Sequence, residues 1–306
     1  MTQLSTVSSA SLKRPGITPG PGKTATWWRD VWQRFAAQKM AVGAAIVLLL
    51  LIATALLAPL LAPYDPTQQF RDQGLEPTAP SRRFPLGTDG LSRDLLSRVL
   101  YGGRISLGVG VAANALAVSL ALLVGGVAGF VGGKIDFAVM RFVDLVMSMP
   151  TFFLILLLVV LLGPSAWVVI TVIALFSWPG PARIFRSQIL AVKQLDFVQA
   201  AYCLGVPRRR IFLRHLVPHV LPLVIVYLAL GIPNTIFTEA SLGFLGLGIP
   251  PPAPSWGKMI EEGRQYYRAA PWVVFVPGLA IMLTVVTFNL VGTALREAMD
   301  PTRRGR

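Results

Sequence analysis

Six apolar runs, each close to the length of a bilayer crossing, limit what this chain can fold into: residues 40–62, 105–131, 145–162, 166–182, 219–238 and 272–295. A helix rises about 1.5 Å per residue, so some 20 residues cover a hydrocarbon layer of roughly 30 Å. Helices also satisfy their own backbone polar groups, which lipid cannot do. Hydrophobic residues at 54%, charged residues at 14% and a mean hydropathy of +0.63 exclude a soluble domain. The expected fold is all-α, a polytopic membrane protein with six transmembrane helices. Trp178-Pro-Gly-Pro181 interrupts the fourth run, and the charges decide in its favour.

With six spans and the amino terminus inside, the cytoplasmic segments collect most of the basic residues. They hold Lys13, Arg14, Lys23, Arg29, Arg34 and Lys39, then Lys134 and Arg141, then the cations around 183–214, then Arg296, Arg303, Arg304 and Arg306. The positive-inside rule therefore places both termini in the cytoplasm. The net charge of +14 is a topological signal, and without a soluble basic domain it implies no nucleic-acid partner. The single cysteine, Cys203, excludes an internal disulfide. His215 and His219 stand four apart with no third ligand, so no metal site is expected, and no constellation suggests catalysis. The first apolar run starts too late and runs too long for a cleavable signal peptide.

The chain divides by composition. Residues 1–26 are a disordered cytoplasmic tail rich in Ser, Thr, Pro and Gly. Within it, Gly16-Ile-Thr-Pro-Gly-Pro-Gly-Lys-Thr24 imitates a phosphate-binding loop but has five residues between its glycines where four are needed, and no strand precedes it. Residues 27–39 form an elbow helix in the membrane interface, with Trp28, Val31, Trp32 and Phe35 on one face. The first span, 40–62, is followed by an extracytoplasmic loop, 63–104, whose Leu91, Leu95, Leu96, Val99 and Leu100 make an amphipathic helix. Residues 105–302 hold the other five spans and a polar hairpin at 196–218; residues 303–306 are a cytoplasmic tail. Gly125, Gly129 and Gly133 give the second span a face for close helix contact. Pro222, Pro233 and Pro277 kink their spans, and Pro218 with Pro222 disfavours a regular helix at the end of the hairpin.

The hairpin reads Asp196-Phe-Val-Gln-Ala-Ala-Tyr-Cys-Leu-Gly-Val-Pro207 followed by Arg208, Arg209 and Arg210. Asp196 with Gln199 suggests a reciprocal cap, Gly205 a left-handed stop, and Pro207 the start of a second helix. The three arginines crowd that helix's first turn, where the backbone dipole disfavours cations by a few tenths to ~1 kcal/mol each. Either anionic lipid heads or an acidic cleft on a partner accounts for them. Ala200 and Ala201 leave a smooth face that fits a groove.

Gln199-Ala-Ala201, Gly205 and Pro218 resemble the Glu-Ala-Ala loop of ATP-binding-cassette importer permeases, with Gln199, His215 and Val217 in place of Glu, Ile and Leu. Other blocks resemble the C-type permease of dipeptide, oligopeptide and nickel importers. These are Pro85-Leu-Gly-Thr-Asp89 with Arg93-Asp94 and Leu96-Ser-Arg98; Glu239-Ala-Ser-Leu-Gly-Phe-Leu-Gly-Leu-Gly248 with Ser255-Trp-Gly257; and Ala294-Leu-Arg-Glu-Ala-Met-Asp-Pro301. The resemblance implies the type I importer permease fold in a bacterial or archaeal cytoplasmic membrane. It implies a coupling surface at Gln199, Ala200, Ala201, Leu204, Gly205, Arg208, Arg209, Arg210, His215 and Pro218. It further implies a B-type permease partner, one or two ATPase subunits that bind ATP and Mg, and an extracytoplasmic substrate-binding protein, with no cofactor in this chain. The cargo is a di- or oligopeptide, a nickel chelate or glutathione.

Asn114, Asn234, Glu239 and Asn289 are polar groups within spans, costly to bury unpartnered, and line either a watery path or helix contacts. Of other classes, a secondary transporter or channel wants ionisable groups at mid-membrane, and none is clearly placed there.

Overall fold

The computed structural model describes residues 24–74 and 76–300. Of the expected tails, 1–26 and 303–306, residues 1–23 and 303–306, with the phosphate-loop imitation up to Lys23, lie outside the described residues. Eleven helices carry the fold: α1 (Thr24–Ala37), α2 (Lys39–Leu56), α3 (Leu95–Val131), α4 (Gly133–Ser148), α5 (Thr151–Leu162), α6 (Ala166–Ser177), α7 (Pro179–Lys193), α8 (Asp196–Cys203), α9 (Arg208–Phe244), α10 (Trp256–Gly263) and α11 (Trp272–Met299). No strand forms among the described residues. α2, α3, α9 and α11 are each long and apolar enough to cross a membrane, and the bent pairs α4–α5 and α6–α7 raise the number of crossings to six.

Five sequence expectations change in physical detail. The surface helix from Leu91 and the span from Ile105 are one helix, α3, because nothing breaks it after Leu95. Residues before Leu95 are held as loop: Asp89 Oδ1 accepts from the Leu91 and Arg93 amides at 2.9 and 3.0 Å, and Ser92 has φ of +53°. Asp94 then caps the helix, accepting from the Ser97 amide at 2.8 Å. The run 145–162 is not one helix, since Pro150 divides α4 from α5 at 85°; proline removes a donor and drives the preceding residue, here Met149, out of helical geometry. The run from Ala166 bends by 47° at Trp178 and continues to Lys193, with Pro179 and Gly180 opening α7. Pro218 and Pro222 do not interrupt α9, because a π turn at Phe212–Leu216 widens the helix just before them. The elbow helix also starts earlier than expected, at Thr24.

α3 is the central beam. A Cβ on Gly125 would fall 2.1 Å from the Ala182 carbonyl oxygen of α7, and one on Gly129 would fall 2.9 Å from that of Arg186. Both glycines therefore permit backbone-to-backbone approach. Gly133 does not belong to this face. It has φ of +60° and open space around it, and serves the turn into α4. α3 crosses α9 where Gly231 admits the Asn114 side chain, whose Nδ2 donates to the Leu228 carbonyl at 2.7 Å, while Thr235 Oγ1 donates to the Gly110 carbonyl at 2.8 Å. α1 lies against α11, with Val31 and Phe35 packed on Ala294, Ala298 and Met299 and with Trp28 and Trp32 exposed. Gln38 Nε2 donates to Glu297 at 3.2 Å and strengthens that strap.

Replacing Gly125 by Ala should lower the melting temperature of the detergent-purified protein by several degrees, since overpacking against a fixed backbone costs about 1–3 kcal/mol. Gly108→Ala is the control: its Cβ meets nothing within 4 Å, and the melting temperature should hold or rise slightly.

Candidate coupling site

The hairpin projects from the end of the bundle where α3 and α7 finish. α8 is seated by its apolar side: Val198 and Ala201 are buried in a cluster with Phe185, Ile189, Val192, Ile211 and Leu216. Helical periodicity then turns Asp196, Gln199, Ala200, Cys203 and Leu204 outward, and all five are exposed. The helix stops in a Schellman motif. The Val206 amide donates to the Ala201 carbonyl at 3.1 Å, the Gly205 amide to the Tyr202 carbonyl at 3.0 Å, and Gly205 has φ of +73°.

The reciprocal cap expected of Asp196 and Gln199 does not form. Asp196 is already the first helical residue, behind Leu195, and its side chain makes no capping bond. Gln199 reaches backwards instead, donating from Nε2 to the Lys193 carbonyl at 2.8 Å. That carbonyl is one of those left over at the end of α7. Lys193 in turn donates from Nζ to the Phe130 carbonyl of α3 at 2.8 Å. A glutamate at 199, ionised, has no hydrogen to donate to that carbonyl, so the amide is matched to this contact.

The structure thus brings Gln199, Ala200, Leu204, Gly205 and Arg208–Arg210 together at one exposed tip. Leu204 is 83% exposed, and none of the three arginines forms a salt bridge among the described residues. Ala201 sits beneath this surface and anchors it. His215 and Pro218 lie to one side on α9, where the His215 and His219 rings pack 6.5 and 5.7 Å from Phe197. Phe197 and Lys193 are participants the sequence reading missed. No spacing in the sequence reveals either contact, since the partners lie on other helices. Behind the tip, Arg186 grips Asp136 and Arg183 grips Asp144, clamping α7 to α4.

The four span polar residues do not share a face. Asn114 and Glu239 lie inside helix contacts: Asn114 on α9 as above, and Glu239, fully buried, accepting from Ser106 Oγ at 3.0 Å. Ser106 Oγ also accepts from the Trp256 amide at 3.2 Å, which ties α10 to the same point. Asn234 and Asn289 are exposed. Asn289 returns its amide to the Val285 carbonyl of its own helix at 3.0 Å.

At the end opposite the hairpin, separate sequence blocks meet in a charge cluster. Arg93 donates to Asp89 Oδ2 and to Glu262 Oε2, both at 2.7 Å, and Arg98 pairs with the same Asp89 oxygen and with Glu262 at 2.9 Å. Burial by itself pushes the Asp89 carboxyl up; Arg98, Arg93 and the Arg93 and Leu91 amides outweigh it and hold it below its ordinary value. Trp256 locks the other side, donating from Nε1 to the Val99 carbonyl at 3.0 Å. Glu262, from outside any recognised block, is a member no spacing rule reveals.

A helical bundle with two broken spans and a seated, outward-facing knuckle defines the transmembrane subunit of a transporter. Residues 121–305 match the family model of the binding-protein-dependent transport system inner membrane component, and residues 26–78 match the N-terminal TM domain of oligopeptide transport permease C. The chain belongs to this family of permeases. It is 40% identical to the oligopeptide transport system permease protein OppC of Haemophilus influenzae, over 90% of this chain and 89% of that one. It is 38% identical to the di/tripeptide transport system permease protein DppC of Pseudomonas aeruginosa, over 89% and 91%. It is 40% identical to the glutathione transport system permease protein GsiD of Escherichia coli, over 93% and 94%. Among solved structures, a chain of the MetNI methionine ABC transporter in an inward-facing conformation shares the fold, with a TM-score of 0.54 and 19% identity over 67% of this chain and 97% of that one.

Asp89→Asn should lower stability by roughly 3 kcal/mol or more, because Arg98 keeps a buried charge with half its partners gone. The sign of the pH effect follows from a depressed carboxyl: its stabilisation is fully present above the ordinary value of 3.8 and is lost as pH falls through the lower folded value. The gap in melting temperature between wild type and Asp89→Asn should therefore stay level from about pH 5 to 8 and narrow below about pH 4.

Proposed function

We propose that this chain is one of two permease subunits of an ATP-driven importer that brings di- or oligopeptides across the cytoplasmic membrane by alternating access. Its termini and the α8–α9 hairpin face the cytoplasm. The observation that carries this reading is the exposed tip of Gln199, Ala200, Leu204, Gly205 and Arg208–Arg210 on a rigidly seated base. An apolar leucine among unpaired arginines is the surface of a group that docks: the leucine and alanine enter a groove and the arginines meet acidic residues at its rim.

The groove belongs to an ATPase subunit, which binds ATP and Mg. One or two kinds of ATPase, a B-type permease and an extracytoplasmic substrate-binding protein complete the machine. Nucleotide closes the ATPase pair and draws the hairpins together. α9, continuous from Arg208 to Phe244, and α7, tied to α3 through Lys193, carry that displacement to the spans. The identities of the oligopeptide and di/tripeptide permeases support a peptide cargo. The equal identity of the glutathione permease favours a second reading, glutathione, through the same machinery.

Gly205→Val places a β-branched residue at φ of +73°, at a strain of about 1–3 kcal/mol that the short α8 relieves by losing its Schellman stop. ATP-driven uptake in vesicles should fall to background, with the chain still inserted and the ATPase less firmly retained on copurification. Wild-type uptake in that variant, or cargo movement by the purified chain without nucleotide, would remove the coupling role.

A further inference from the structure

The fifth span carries a polar stripe that no described helix covers fully, with Asn234 exposed and Thr238 and Ser241 half-buried. Asn234, Thr238 and Ser241 recur at intervals of four and three, which places them on one face of α9. Asn234 is exposed and its side-chain amide has no partner among the described residues. Thr238 Oγ1 donates to the Asn234 carbonyl and Ser241 Oγ to the Phe237 carbonyl, each at 2.8 Å. Both hydroxyl hydrogens are thereby spent within the helix, and both oxygens keep lone pairs free to accept.

This face is unsuited to lipid or to a close helix neighbour. An amide left without a partner in hydrocarbon costs several kcal/mol, on the order of 2–7. Close helix contact in membranes uses small residues, serine and threonine among them, but the α9 glycines that permit the closest approach are committed, Gly231 to Asn114 and Gly243 to Gly257 and Lys258 of α10. Around the stripe stand bulky exposed side chains instead, Phe237, Phe244 and Leu245. Glu239, expected from its sequence position to share this role, points away into the Ser106 contact.

From Asn234 to Ser241 the helix rises about 10 Å. An extended peptide advances some 3.4 Å per residue, so the stripe matches about three residues. We propose that Asn234, Thr238 and Ser241 form a hydrogen-bonding ladder for the backbone of a peptide entering the translocation path, with the two hydroxyl oxygens accepting from peptide N–H groups and the Asn234 amide bonding a peptide unit. Side chains of the cargo are not read by this ladder; backbone amides are. The proposal rests on the reading of this chain as a peptide importer's permease with the hairpin inside, which puts the stripe in the outer part of the span.

The test uses the complete transporter, with second permease, ATPases and binding protein, reconstituted in vesicles and supplied with trialanine or with trialanine N-methylated on the nitrogen of its second residue. Wild type should take up the parent about three- to tenfold faster than the methylated peptide, the range of one net hydrogen bond. The near-isosteric double variant Thr238→Val, Ser241→Ala should lose most of that ratio, and Asn234→Leu should slow both peptides, with ATP hydrolysis and copurification of the second permease as in wild type. An unchanged ratio in the double variant overturns the ladder, as does release of the second permease, which would make the stripe a subunit contact. If the intact wild-type transporter hydrolyses ATP and moves no trialanine, the peptide reading itself fails and the ladder with it.

Discussion

Everything in this fold is hung from the approach of α3 to α7, where Gly125 and Gly129 let two backbones touch. In lipid the association of helices gains little from apolar area, because the tails are as apolar as the side chains, so contact depends on how closely atoms can approach. The two glycines fix the height and rotation of α7. Once α7 is fixed, its last carbonyl receives Gln199 and its Lys193 reaches the end of α3, so the position of α8 is settled by the same contact. The knuckle is not a loose loop held up by its own turn chemistry; it is a bracket bolted to the beam.

In the proposed mechanism, movement of that bracket has two routes inward. One is α7 with its clamp to α4, through Arg186 to Asp136 and Arg183 to Asp144. The other is α9, which begins inside the hairpin at Arg208 and ends beside α10, with a single π turn between tip and span. A π turn carries one residue more than its neighbours, and such bulges are frequent at functional sites. At the far end α9 meets Ser106 and Trp256 through Glu239, and α3 begins at the Asp89, Arg98 and Glu262 cluster. Continuous helices, α3 and α9, therefore join the two ends.

The apolar runs made the helices legible, and Gly205 made the turn legible, because both are local facts. What the prolines do was not. Pro150 breaks a helix at 85°, whereas Pro222 and Pro233 are tolerated within α9. The difference lies in how the neighbouring backbone is held: around Pro233 the Asn114 and Thr235 side chains join α9 to α3 and a π turn precedes Pro222, whereas Met149 before Pro150 is extended. The same lesson applies to Gln199. A local rule assigned it to Asp196, and a carbonyl at the end of another helix, whose position depends on glycines some seventy residues earlier, claimed it instead. Glu239 and Asn234, five residues apart, looked alike in sequence and differ because helix rotation sends one toward Ser106 and the other outward.

Charge is handled in opposite ways at the two ends, and the contrast carries information. Around Asp89, cations and anions are withdrawn from water together, and the desolvation of Arg98 is offset inside the chain by Asp89 and Glu262. Each charge there has its opposite within the chain, although Arg98 Nε is left without a hydrogen-bond partner among the described residues. At the hairpin, Arg208, Arg209 and Arg210 occupy the first turn of a helix with no acidic partner among the described residues, against a dipole that disfavours each of them by a few tenths to ~1 kcal/mol. Folding of this chain does not need them there, since Val198, Ile211 and Leu216 already hold the base. In the proposed function an acidic rim on the ATPase subunit offsets that cost, and the exposed Leu204 at the same tip favours a protein groove over a lipid headgroup layer.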